Sequence, residues 1–171
     1  MSDKSEPILN RVALSKLVTF DLEDHYPKGE RVLLDIKDWL YEGVILREKE
    51  FRAFVADHNW EQYRDTYVAL HCSTDAIIPG WAYMLIATQL QPVAAQMVIG
   101  DLGQLETAIY QSIIEQLDVS EYKDKPVIIK GCTNKPVPPN AYLWITSKIQ
   151  SVAKSVMYGE ACSSVPLYKR K

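Results

Sequence analysis

The residues best equipped for chemistry in this 171-residue chain are its three cysteines. Each is followed by a hydroxyl residue: Cys72-Ser73, Cys132-Thr133 and Cys162-Ser163. Thiolates are soft donors that suit zinc, iron or an iron–sulfur cluster. A thiolate can also act as a nucleophile or carry sulfur. Two of the three lie in similar stretches, HCSTDAIIPGWAYM from His71 and GCTNKPVPPNAYLWI from Gly131. Each reads as a strand end, a loop with a cysteine, then a proline and the start of a helix. An odd number of widely spaced cysteines argues for free thiols or metal ligands rather than a disulfide framework.

Three readings compete for these thiols. In the first, Cys72, Cys132 and Cys162 bind a metal or cluster, with His71 or Asp75 as a fourth ligand; no CxxC pair supports it. In the second, one cysteine is a nucleophile or sulfur carrier. Successive strand residues point to opposite faces, which disfavours help to Cys72 from His71. In the third, the cysteines are small buried packing residues. If the strands before Cys72 and Cys132 are parallel, both thiols lie on one sheet edge, where α/β proteins place ligands. Cys162 follows the last expected helix and is therefore placed at the opposite edge unless the tail folds back.

Other candidates are weaker. Asp101 and Glu160 follow two glycines, Gly100 and Gly159, read as helix ends, and read as loop acids or a symmetric acidic pair. His25 and His58 sit in polar turns and read as surface residues. Trp39, Tyr41, Trp60 and Tyr63 read as core. The chain has no phosphate-binding loop, dinucleotide fingerprint, nucleophile elbow or HExxH motif, so the reading leans away from an enzyme.

The elements that must position the cysteines come from an internal duplication. At a shift of 59 residues Tyr63 lies over Tyr122, Asp65 over Asp124, Val68 over Val127, Ala82 over Ala141, Tyr83 over Tyr142, Ile86 over Ile145 and Gly100 over Gly159. With one residue inserted, Cys72 lies over Cys132 and Pro79 over Pro139. Each unit reads as helix, strand, cysteine loop, helix. The upstream helices are expected near 48–57 and 104–117, and the strands near 67–71 and 127–130. Long second helices are expected to run from the prolines to Gly100 and Gly159, with Pro92 kinking the first. VTFDLEDHY and RVLLDIKDWL, joined by PKGE, read as an N-terminal hairpin or sheet edge. The expected fold is α/β or α+β: a small mixed sheet with packed helices. Residues 1–12 read as a flexible arm and 13–171 as one globular domain, with repeat units near 48–103 and 104–171.

Composition narrows the function. The net charge is -3 with 47% hydrophobic and 24% charged residues, an ordinary globular balance. Without a concentrated basic surface, nucleic-acid or anionic-membrane binding is not expected. No apolar stretch is long enough to span a bilayer. The N-terminus has no signal-peptide pattern, and the expectation is a soluble, cytoplasmic protein; a homodimer is compatible with the sequence.

MYGEACSSVPLYK, together with KGCTNKPVPPNAYLWI and HCSTDAIIPGWAYM, resembles a bacterial family catalogued as domain of unknown function 2480, in its Bacteroidetes-type form. The likeness covers nearly the whole chain. The family brings no catalytic residues to carry over. The resemblance implies an accessory role beside the sulfur-mobilisation system for iron–sulfur assembly, near which relatives are encoded. It raises the thiol-based readings and makes iron–sulfur assembly proteins the implied partners. The function expected is thus accessory, thiol-based metal or iron–sulfur handling. The alternatives are an interaction or scaffold protein with structural cysteines, and a cysteine-dependent sulfur carrier.

Overall fold

The computed structural model describes residues 17–131, 134–160 and 162–171. The expected arm, residues 1–12, and Cys132 lie outside them. The fold is mixed α/β, with four α-helices and two small sheets. The chain divides into a central unit, Pro27–Ile113, and a terminal unit made of Ile114–Lys171 with the segment ending at Tyr26.

The central unit holds strands β2 (Arg31–Asp35), β3 (Tyr67–His71) and β4 (Gln96–Ile99), all parallel in the order β2-β3-β4. The β3 run YVALH has no polar alternation because both faces of a parallel strand are covered. Val68 and Leu70 face a core built with helices α1 (Glu48–Asp57) and α2 (Gly80–Leu90). Ala69, one residue out of phase, meets Leu105 and Ile109 of α3 (Leu102–Gln116). In α2 the buried positions Ala82, Ile86 and Leu90 recur every fourth residue, the stripe a helix must bury. Arg31, at the start of β2, donates from Nε to Glu106 Oε1 of α3 at 2.7 Å. This pair ties the helix to the sheet.

The terminal unit holds strands β1 (Val18–Phe20), β5 (Pro126–Ile129), β6 (Ser155–Glu160) and β7 (Ser163–Lys169). Their order is β1-β5-β6-β7, with β7 alone antiparallel. Val127, Ile128 and Ile129 are fully buried. Helix α4 (Pro139–Gln150) buries Ala141, Ile145 and Ile149 at the spacing seen in α2. Full burial of one such isoleucine contributes about 2–3 kcal/mol.

Corresponding turns in the two units share their geometry. Asp65 and Asp124 both adopt φ 58°. The Asp65 N–H donates to Val93 O and that of Asp124 to Val152 O, at 2.9 and 3.0 Å. Both residues follow a 3-10 turn that buries a tyrosine, Tyr63 or Tyr122.

Several expectations are corrected. The two N-terminal strands form but make no hairpin: β1 pairs with β5 and β2 with β3. Each is also shorter than its apolar run, because Leu22–His25 and Lys37–Trp39 turn into 3-10 helix. The single small sheet is two sheets. The long second helices stop early, α2 at Leu90 and α4 at Gln150, whether or not proline follows. The Ala94 and Ala153 amides close on the Leu90 and Ile149 carbonyls, each at 2.8 Å. The chain then returns as a parallel strand, since QMVI and SVMY gain more from pairing with β3 and β5 than from extending a helix. Gly100 and Gly159 therefore end no helix. At Gly159, φ is +116° inside β6, and a Cβ would meet Ser163 O at 2.6 Å. Pro79 matches Pro138 rather than Pro139, because these two occupy the N-cap positions of α2 and α4.

Candidate functional site

The carboxyl ends of the parallel strands gather the polar groups of each unit, the edge at which α/β sheets place ligands. In the terminal unit, Phe20 is in register with Ile129. The next residues, Asp21 and Lys130, are therefore neighbours. Lys130 Nζ donates to Asp21 Oδ2 at 2.5 Å. Asp21 Oδ1 accepts the Glu23 N–H at 2.9 Å, capping the turn Leu22–His25. Glu23 Oε1 then accepts the backbone N–H groups of Asn134 and, at 2.8 Å, Lys135. The residues that flank positions 132 and 133, Lys130 on one side and Asn134 and Lys135 on the other, are thus tied to Asp21 and Glu23. Burial alone would raise the Asp21 carboxyl, but the Lys130 ammonium and the Glu23 N–H outweigh it and hold the pKa below the usual value. Asp21 in turn raises Lys130, with help from Glu23 and Glu160.

Cys162 is exposed in the turn between β6 and β7, where Glu160 pairs with Ser163. Its expected place at the opposite sheet edge is corrected. Because α4 ends at Gln150, β6 brings the chain back to the edge at which β5 ends. Tyr158 of β6 donates its hydroxyl to Gly131 O at 3.4 Å. The β6–β7 turn and the start of the 131–134 loop therefore stand at the carboxyl ends of adjacent strands.

The central unit has a corresponding arrangement. Asp35 ends β2, and its Oδ1 accepts the backbone N–H groups of Lys37 and Ser73, each at 3.1 Å. Burial opposes ionisation of Asp35, but the Ser73 side chain and these two amides outweigh it and lower its pKa. Cys72 is partly buried against the core. Its Sγ lies 3.4 Å from Thr74 Oγ1, which itself donates to Gly43 O at 2.7 Å. Burial, with a smaller contribution from Cys72, pushes the Tyr83 phenol up. His71 is the last residue of β3, in register with Asp35. Asp75 is exposed beside Val44, Ile45 and Ile77.

Among the described residues no group of three or more His, Cys, Asp or Glu side chains is placed to hold a metal ion. His71, Cys72 and Asp75 are not gathered into one. The remaining candidates have structural work. Asp101 Oδ1 accepts the Gln104 N–H at 2.8 Å while Gln104 Oε1 accepts the Asp101 N–H at 2.9 Å, a reciprocal cap for α3. His58 is half-buried. It packs among Trp39, Trp60 and Tyr63, its Nε2 lies 2.9 Å from the Tyr63 hydroxyl, and burial lowers its pKa. His25 stacks on Phe20 at 5.0 Å. Of the four aromatics expected in the core, Tyr41 is 37% exposed.

Sequence reasoning missed Asp21 and Asp35. The signal was present: VTFDLEDH from Val18 lies over VLLDIKDW from Val32. The two stretches are neighbours in the sequence, which disguised them as one hairpin.

A family model described as a protein of unknown function, DUF2480, matches residues 6–170. No curated protein and no solved structure matches the chain. No helix among the described residues is long and apolar enough to cross a membrane.

Proposed function

The chain belongs to the DUF2480 family, and we propose that it is a thiol-bearing accessory factor that takes up a soft metal or sulfur cargo at the carboxyl edge of its terminal sheet. The observation that carries this reading is the exposure of Cys162 on the β6–β7 turn, at the edge where the loop bearing Cys132 begins. With Cys132, Cys162 would supply two soft donors, which suit zinc, iron or an iron–sulfur cluster, or a persulfide passed between them. The Asp21–Lys130 pair and Glu23 tie down the residues on either side of Cys132, Lys130 and Lys135. Cys72, His71 and Asp75 play a lesser part, because Cys72 packs against the core of the other unit. The implied partners are iron–sulfur assembly proteins in the cytoplasm.

The fold is proposed to be one ancestral unit used twice. The repeated strand register, Tyr67 with Gln96 and Pro126 with Ser155, supports this. So do the shared burial spacing of α2 and α4 and the paired φ 58° aspartates.

The test is the metal and acid-labile sulfide content of untagged protein purified without air. Near-stoichiometric zinc or iron is expected in wild type and in Cys72→Ser, and is expected to fall in Cys132→Ser and Cys162→Ser. Protein free of metal and persulfide, with thiols at 132 and 162 that label no faster than Cys72, would overturn the reading.

A further inference from the structure

The two sheets match strand for strand except at one edge. In the terminal unit, β6 is covered by the antiparallel β7. In the central unit the corresponding strand, β4, is the last of its sheet, and no strand among the described residues pairs with its outer side. The Gly100 N–H donates to Leu70 O of β3. Because strand amides alternate in direction, those of Met97 and Ile99 point to the open side.

The residues around this edge are prepared for a strand in the way their counterparts are. Beyond β7, the Arg170 N–H donates to Lys154 O at 2.9 Å. Its guanidinium donates to Asp124 Oδ1 at 2.5 Å and to Val152 O at 2.7 Å. The same turn in the central unit presents Asp65, also at φ 58°, with Val93 O beside it. Asp65 is exposed and has no ion-pair partner among the described residues. Leu167 of β7 reaches the groove lined by Tyr142, Leu143 and Tyr158. The equivalent groove, of about 240 Å³, is lined by Tyr83, Met84 and Ile99, with Met84 71% and Ile99 58% exposed.

We propose that the outer edge of β4 is a docking site for an extended peptide segment of another protein. The segment runs antiparallel to β4, places an apolar side chain in the Tyr83–Met84–Ile99 groove and sets an arginine on Asp65 and Val93 O. Main-chain hydrogen bonds to a sheet edge supply affinity, and side-chain pockets supply selectivity. The charge complementarity is specific: Asp65 is a carboxylate waiting for the cation that Asp124 already holds. The site lies in the unit that does not carry Cys162, so it stands independently of the cargo reading.

The probe is a fluorescently labelled peptide of sequence SSVPLYKRK, residues 163–171 of the chain, titrated into the full-length protein and read by anisotropy. Saturable binding is expected. Asp65→Lys should weaken it by about fivefold, the effect of one exposed ion pair. A peptide with glutamate in place of its arginine should lose affinity by a similar factor. Ile99→Pro removes an outward amide and none that bonds β3, a position where an edge strand tolerates proline, and should abolish binding while the circular dichroism stays unchanged. No binding at millimolar protein would overturn the proposal. Binding that survives Ile99→Pro would also overturn it, because the peptide would then be exchanging with β7 on β6. A wild-type dimer that Ile99→Pro converts to monomer, with no peptide bound, would assign the edge to a second copy instead.

Discussion

Replacing Glu106 by alanine tests whether α3 is held to the central sheet by a nearly buried charge pair. The Arg31 and Glu106 side chains are only 12% and 11% exposed. Glu106 takes the Arg31 Nε at 2.7 Å and Nη2 at 3.4 Å, a two-pronged contact. Breaking a buried pair by removing one partner costs about 3–5 kcal/mol, chiefly because a charge is left uncompensated. Arg31 keeps the carbonyls of Pro27 at 3.0 Å and Gly29 at 2.6 Å, and lies over the Tyr67 ring at 4.8 Å. The expected loss for Glu106→Ala is therefore at the lower end, about 2–3 kcal/mol. In urea, at about 2 kcal/mol per molar, this moves the midpoint down by roughly 1 M. The control is Glu48→Ala, whose ion pair with Arg52 is more than half exposed, with an expected loss below about 0.5 kcal/mol. The double variant Arg31→Met, Glu106→Leu should recover most of the loss, since apolar residues of similar volume remove the desolvation cost with the charge. If Glu106→Ala costs no more than Glu48→Ala, the pair is solvated in solution and α3 is held by its other contacts, Leu105, Ile109 and Ile113 among them.

Asp21→Asn should lower stability at neutral pH and flatten its acid dependence. A depressed folded pKa gives stability that is present above the unfolded value, about 3.9, and lost as pH falls through the folded one. Wild type should thus lose more stability than the variant between about pH 5 and pH 3, read by denaturant midpoints at each pH. Asp35→Ala releases the Ser73 and Lys37 amides, and reaction of Cys72 with a thiol reagent should become about tenfold faster; unchanged kinetics would mean that the loop is held by Thr74 instead. Burial, with Glu121, pushes Tyr122 up to about 12. A raised phenol pKa leaves stability intact below about pH 10 and removes it as pH climbs toward the folded value, so Tyr122→Phe should resist alkaline unfolding better and lack the last phenolate absorbance step.

The sequence alone determined the pieces. Apolar spacing placed α1, β3 and β5 within a residue or so of their observed ends, because a buried helix stripe and a doubly covered parallel strand leave patterns that local chemistry cannot counterfeit. The 59-residue match aligned Asp65 with Asp124 for a reason now visible: both adopt a backbone conformation at φ 58° that aspartate tolerates better than most residues.

Only the tertiary structure decided which pieces meet. Val18–Phe20 and Arg31–Asp35 look like hairpin partners because they are adjacent in sequence, yet each pairs with a strand far along the chain. Strand pairing is a long-range choice, made by which apolar faces can be buried together. The same holds for helix length. Gln96–Ile99 and Ser155–Tyr158 became strands because β3 and β5 offered a free side. That choice carried Cys162 to the edge where β5 ends and, among the described residues, left no strand on the outer side of β4, and neither result is written in any local pattern.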